Sequence, residues 1–227
     1  MQEPNGAVRL DSETMPQPPS DGFPLFPLGI VALPTESVPL HIFEDRYRKM
    51  IEHCLNAERG SPSGEFGIMW LSEEELKPVG CACAIEQVLD RMDDGRLNIV
   101  ARGTRPFRLL ERQDDLAYPA GVVEFLGEEE EELDVGAAQA ARELYRDLVI
   151  QATDREIESA ELNELGAYGM AATVEFGVEA KQELLELRSE NARLRLLALL
   201  LQAAIERLDL IERAQVRALS NGKVRFG

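Results

Sequence analysis

Across a run of five glutamates at 128–132 the apolar residues of this chain pass from a mainly two-residue spacing to a helical one, and no single kind of secondary structure satisfies both sides of that change. Before the run, Val79, Cys81, Cys83 and Ile85 sit two apart, as do Leu97, Ile99 and Ala101. A period of two places such residues on one face of a strand. After the run, Ala141, Leu144, Tyr145 and Leu148 recur at steps of three, one and three, and Leu194, Leu197, Leu201, Ile205, Leu208 and Ile211 at three and four. That is the stripe of a helix with one buried side. The chain is therefore expected to be α+β, a β-rich part joined to a helical bundle near the glutamates, with a core in each.

Within the β-rich part, residues 23–43 mix several prolines with Leu, Ile, Val and Phe. Each proline removes a backbone donor, so short edge strands broken by bends are predicted there. From Glu44 to about Arg59, the spacing of Tyr47, Met50, Ile51, Cys54 and Leu55 predicts a helix with acidic residues at its start, ended by the SPSG of 61–64. Strands are expected at 65–71, 79–85, 97–101, 106–112 and 121–127, with Met92-Asp-Asp-Gly95 as a tight hairpin turn. Together they suggest a small, mostly antiparallel barrel or folded sheet carrying one helix. The boundaries expected are a loose tail at 1–22, a β domain at 23–127, an acidic linker at 128–134, a helical bundle at 135–213 and a mobile end at 214–227. In the bundle, helices are expected at 137–152, 162–176, 181–187 and, capped by Ser189, 190–213.

Charge narrows the function. Asp and Glu number 42 against 24 Lys and Arg, a net charge of −18, so the surface repels phosphate backbones and nucleic acid is not an expected partner. Residues 1–20 lack the cationic start and apolar stretch of a signal peptide, and the longest aliphatic run, Leu196–Leu201, falls far short of a membrane span of about 20 residues. Three cysteines, Cys54, Cys81 and Cys83, suit free thiols in a reducing cytoplasm.

Catalytic signatures are missing from the sequence. It contains no phosphate-binding G-x-x-x-x-G-K-[ST], no G-x-G-x-x-G, no G-x-S-x-G and no H-E-x-x-H. His53 and Cys54 are neighbours on a helix and point about 100° apart, unsuited to a nucleophile–base pair. Cys81 and Cys83 share a strand face but lack the second pair that makes zinc spacing specific, and are expected as small apolar core residues. No enzyme activity, cofactor or metal is expected.

The informative stretch is Phe26-Pro-Leu-Gly-Ile-Val-Ala-Leu-Pro34 followed by Val38-Pro-Leu-His-Ile-Phe-Glu-Asp-Arg-Tyr-Arg48. It resembles the opening of the Lon protease N-terminal domain family. The resemblance continues through Val79–Ile85, the Asp-Gly hairpin, Ile99–Phe107 and Lys181-Gln-Glu-Leu-Leu-Glu186 with the leucine helix after it, covering about 23–213. It implies a PUA-like β domain plus helical bundle that helps engage protein substrates. The ATPase and Ser–Lys peptidase that follow this region in full-length Lon have no counterpart here, so ATP-dependent proteolysis is not carried over. The leading expectation is a non-catalytic module that binds unfolded polypeptide segments or a protein partner in the cytoplasm, with a monomer favoured. Alternatives are an interaction subunit dedicated to one folded partner and, against the charge, RNA binding. A peptide groove needs apolar walls and an open strand edge, which points to Leu40, His41, Phe43, Arg46 and Tyr47 at the start of the first helix, and to the lone Trp70 as an exposed anchor.

Overall fold

The computed structural model describes residues 22–57, 64–73, 75–113 and 116–221. The tail at 1–21, most of the SPSG stretch and residues 222–227 lie outside them. Strand β1 (Phe23–Leu28) leads to β2 (Ser37–Ile42), helix α1 (Asp45–Asn56) and β3 (Glu65–Trp70). Two long strands follow, β4 (Val79–Arg91) and β5 (Leu97–Gln113), then β6 (Ala120–Phe125). The helical part comprises α2 (Val135–Thr153), α3 (Ser159–Glu164), α4 (Ala167–Ala171), α5 (Val178–Glu186) and α6 (Glu190–Asn221).

The strands close on themselves. Their order is β2-β5-β4-β3-β1-β6, and β6 pairs also with β5, so β1, β3, β4, β5 and β6 form a ring and β2 is appended to it. All pairings are antiparallel except β1 with β3, whose crossover contains β2 and α1. The segments 97–101 and 106–112 form one strand, not two. Its first half holds β2, through Ser37↔Arg102 to Ile42↔Leu97, and its second half holds β6. Irregular register within β4–β5 and β5–β6 bends the strand enough to serve both, as bulges do. At the β4–β5 turn Gly95 has φ +84 and its N–H donates to Met92 O at 2.9 Å, so the Asp-Gly signature is realised as a hairpin.

Strand β1 lies between β3 and β6, so it is not an edge strand. The prolines survive there through register. Leu25 N donates to Pro119 O, on the β6 side, while Leu28 O accepts from Leu71 N, on the β3 side. Backbone groups alternate along a strand, so Pro24 faces β3 and Pro27 faces β6. Pairing with β6 uses only Phe23 and Pro24, and pairing with β3 only Leu25–Leu28. Each missing donor therefore falls where no ladder bond is due.

Two apolar clusters result from the alternation. Phe23, Leu25, Met69, Ala82, Phe107 and Val123 come from all five ring strands and fill its interior. Gly67 makes room for Phe107: a Cβ there would lie 2.4 Å from the Phe107 ring. The opposite faces, with Phe26, Phe66, Ile68, Cys81, Cys83 and Ile99, continue into Met50 and Ile51 of α1 and Leu184, Leu185, Leu194, Leu197 and Leu201 of the helices. The expectation of a separate core in each half is thus corrected; the larger cluster crosses between them.

Helix α1 ends at Asn56, and Glu44 at its N-cap makes no side-chain capping bond. The helix expected at 162–176 is broken into α3 and α4. Leu165 O accepts from the Arg142 guanidinium at 3.2 and 3.1 Å, and Ala167 N donates to Glu190 Oε1 at 2.7 Å, so distant polar groups satisfy the backbone at the break. Ser189 does cap α6, its Oγ accepting from Ala192 N at 3.0 Å. That helix continues to Asn221, past the expected 213, and its stripe passes from Leu201, fully buried, through half-buried Ile205 and Leu208 to Ile211, 45% exposed.

The acidic run is bonded along its length to the start of α6. Glu128 pairs with buried Arg193 at 2.6 Å, Glu131 accepts from Ser189 Oγ and Asn191 N, and Asp134 N donates to Asn191 Oδ1. Asp134 also caps α2 through Ala137 N and pairs with Arg195. Like charges in sequence here meet N–H groups and arginines in space.

Candidate functional site

Among the described residues strand β2 pairs on one side only, with β5. Val38 and Ile42 are buried, whereas Ser37, Pro39 and His41 are exposed on the opposite face. Gly103 N donates to Glu36 O at 2.9 Å, so the backbone groups of residues 38, 40 and 42 continue toward β5. The missing N–H of Pro39 therefore points to the open edge and blunts it against indiscriminate strand pairing.

The turn before β2 is held from several directions. Thr35 has φ +70, a left-handed conformation costly for a β-branched residue, and its N–H donates to Gly103 O at 2.8 Å. A Cβ on Gly103 would meet Leu33 O at 2.0 Å, so only glycine allows this approach. Glu36 accepts from Leu33 N at 2.9 Å and pairs with Lys181 of α5 at 2.5 Å, both side chains largely buried. The helical part thereby fixes the start of β2.

After β2, α1 returns across the strand ends. Arg48 pairs with Asp45 and donates to Asp94 O at 2.6 Å, tying α1 to the hairpin turn. Tyr47 is buried with its ring centroid 4.2 Å from that of Phe26, and burial is the main reason its hydroxyl titrates above the usual tyrosine range. Between Leu28–Ile30 and Pro39–Tyr47 a cleft of about 320 Å³ opens. Phe26, Ile42 and Tyr47 are its anchored walls; Phe43, 60% exposed, is its rim. The His41 ring lies 5.9 Å from Phe43 in a stacked arrangement, and its Nδ1 is 2.6 Å from Asn98 Oδ1.

Of the residues singled out from the sequence, Leu40, His41, Phe43 and Tyr47 line this cleft. Arg46 does not: its guanidinium lies 4.6 Å from the Tyr47 ring centre and pairs with Glu44 at 2.8 Å. Trp70 lines a separate shallow cavity with Leu71, Glu75, Lys77 and Glu179, which shares only Gly29 with the cleft. Sequence reasoning did not single out Leu28 and Ile30, although both lie in the Phe26–Pro34 stretch.

Two other concavities were not legible in the sequence. At the other end of β2 a cleft of about 620 Å³ is lined by Glu36, Ser37, Arg102, Glu164, Tyr168 and Glu190, among others. On the helical part an apolar groove of about 640 Å³ runs between the end of α2, residues 173–177 and the second half of α6. The cysteines are buried; burial pushes the Cys54 thiol up to about 12 and raises Cys81, so these groups behave as apolar packing. Among the described residues no helix is long and apolar enough to cross a membrane, and no His, Cys, Asp and Glu cluster has the geometry of a metal site.

Comparison with known proteins agrees with this architecture. A Lon N-terminal domain protein from Xanthomonas campestris superimposes with a TM-score of 0.57 at 26% identity, over 76% of this chain and 94% of the other. The N-terminal domain of Lon protease from Mycobacterium avium complex gives 0.62 at 23% identity, over 78% and 95%, a likeness of fold. The family model of the ATP-dependent protease La (LON) substrate-binding domain matches residues 22–203, which takes in the ring, the β2 cleft, α1 and the helices through the buried half of α6. The chain belongs to the Lon substrate-binding domain family.

Proposed function

We propose that this protein is a non-catalytic binding module for polypeptide in the cytoplasm, and that exposed apolar segments of its clients enter the cleft beside β2. The observation that carries this reading is the exposed Phe43 on the rim of a cleft whose walls, Phe26, Ile42 and Tyr47, are anchored in the core. Such a cleft is formed before a client arrives, so little ordering cost accompanies binding. A Lon substrate-binding domain is non-catalytic by itself, and its family name supports a polypeptide ligand.

The test is fluorescence anisotropy with a permanently unfolded chain, reduced and carboxymethylated lactalbumin, against its native form. The unfolded form should bind and the native form should not, and Phe43→Ser should weaken binding by roughly tenfold or more, the loss expected of an anchor residue. Equal binding by Phe43→Ser, or no binding of the unfolded chain, would contradict the proposal. Crosslinking in native lysate distinguishes many clients from a single dedicated partner.

A further inference from the structure

Resting on that reading, the structure also narrows the kind of segment the protein takes. We propose that an extended client segment lies along the solvent face of β2 and is held at both ends, by an apolar side chain in the Phe43 cleft and by a lysine or arginine side chain, four or five residues away, in the acidic cleft at the start of the strand.

The two clefts belong to one surface. Ser37 lines the acidic cleft, and Pro39 and His41 line the apolar one. All three point to the same exposed face of β2 by strand alternation. From Ser37 to His41 a strand rises roughly 13 Å, the length an extended guest covers in about four residues. A guest held at one end therefore brings its next reachable side chain to the other.

The chemistry at the two ends differs. The acidic cleft carries Glu36, Glu164 and Glu190 against the single guanidinium of Arg102, which itself lies 3.6 Å from Glu86. Glu36 is committed to Lys181, and Glu190 to Arg193 and Ala167 N. The exposed Glu164 side chain has no salt bridge or hydrogen bond among the described residues, so its charge is free to meet a guest's cation. The protein's net charge of −18 adds long-range attraction for cationic segments and repels acidic ones. Because Glu164 is exposed, its contribution is selectivity of modest size, and the apolar cleft supplies most of the affinity.

The experiment uses the full chain and fluorescein-labelled twelve-residue Gly/Ser peptides carrying one Phe and one Arg at separations of two to eight. Separations of four or five should bind roughly three- to tenfold more tightly than the same peptides with Glu in place of Arg, the range of one exposed ion pair gained against one repulsion. The difference should shrink in 0.5 M salt and, in Glu164→Gln and further in Glu164→Arg, fall to or below the long-range preference shown by peptides of the other separations, with both variants melting as the parent does. If Phe43→Ser weakens every peptide while Arg and Glu bind alike, or separation has no effect, the inference fails and the apolar cleft stands. If no peptide binds, both fail.

Discussion

The cleft beside β2 and the groove on the helices are both apolar and concave, yet they arise in opposite ways. The groove is the larger, about 640 against 320 Å³. It exists because α6 outlasts its partner: α2 ends at Thr153 while α6 continues to Asn221, and the stripe of α6 leaves the core by degrees through Ile205, Leu208 and Ile211. The cleft is smaller but closed in by core residues, with one aromatic raised above them. Size follows from where packing ends. A site for recognition is better judged by how firmly its walls are held.

The largest effects should fall on the core that supports both concavities. Leu201→Ala, at a fully buried position, should lose on the order of 2–5 kcal/mol of stability, whereas Leu208→Ala, about two turns further along the same stripe and half-buried, should lose less than about 1 kcal/mol. Chemical denaturation of the two variants measures this directly. Equal losses would mean that the outer half of α6 is as buried as the inner half, as in a dimer seam, and the groove would cease to be a free surface.

Arg193→Ala comes next. This buried guanidinium bonds Glu128, Glu190 and Leu187 O and lies over the Tyr168 ring. Its loss should cost about 2–4 kcal/mol, near the lower end of values for broken buried ion pairs because Glu128 is open to solvent. A loss below 1 kcal/mol would reduce the glutamate run to a loose connector.

A smaller effect should appear in acid. Glu131 is held below the usual carboxylate range chiefly by the Asn191 backbone N–H, and Asp134 chiefly by that of Ala137. A folded value below the unfolded one gives stabilisation that is complete above the unfolded values, about 4.3 for Glu and 3.9 for Asp, and is lost as pH falls through the folded values. Glu131→Gln and Asp134→Asn should therefore flatten the acid limb of the stability curve below about pH 4. An unchanged limb would contradict these bonds.

Smallest of all should be the structural effect of Phe43→Ser. At 60% exposure its stability should change by no more than about 0.5 kcal/mol, while polypeptide binding falls.

The same comparison explains what could be read from the sequence. The cleft is built mostly from one contiguous stretch, so the alternation of β2 and the helical spacing after it were enough to gather Leu40, His41, Phe43 and Tyr47. Trp70 is drawn toward the site by residue type and Arg46 by its position at the start of the helix, but their places depend on where β3 ends and on the Glu44 carboxylate beside Arg46. The groove joins residues from 148 to 211 and the acidic cleft joins 35 to 190, so neither leaves a local pattern. The strand period announced β4 and β5, but closure of the ring rests on Phe23 and Pro24 meeting Gly121 and Ala120, about a hundred residues apart. The break at Leu165 escaped notice because Arg142 and Glu190, which satisfy it, are remote in sequence.

One measurement tests the central claim against its nearest rival. The photo-crosslinker benzoylphenylalanine is placed at Phe43 or, separately, at Leu208, and each protein is irradiated with the unfolded lactalbumin chain. Crosslinks to the chain at position 43, with none above background at 208, are the predicted result. Crosslinks confined to 208 would move recognition to the helical groove and contradict the account.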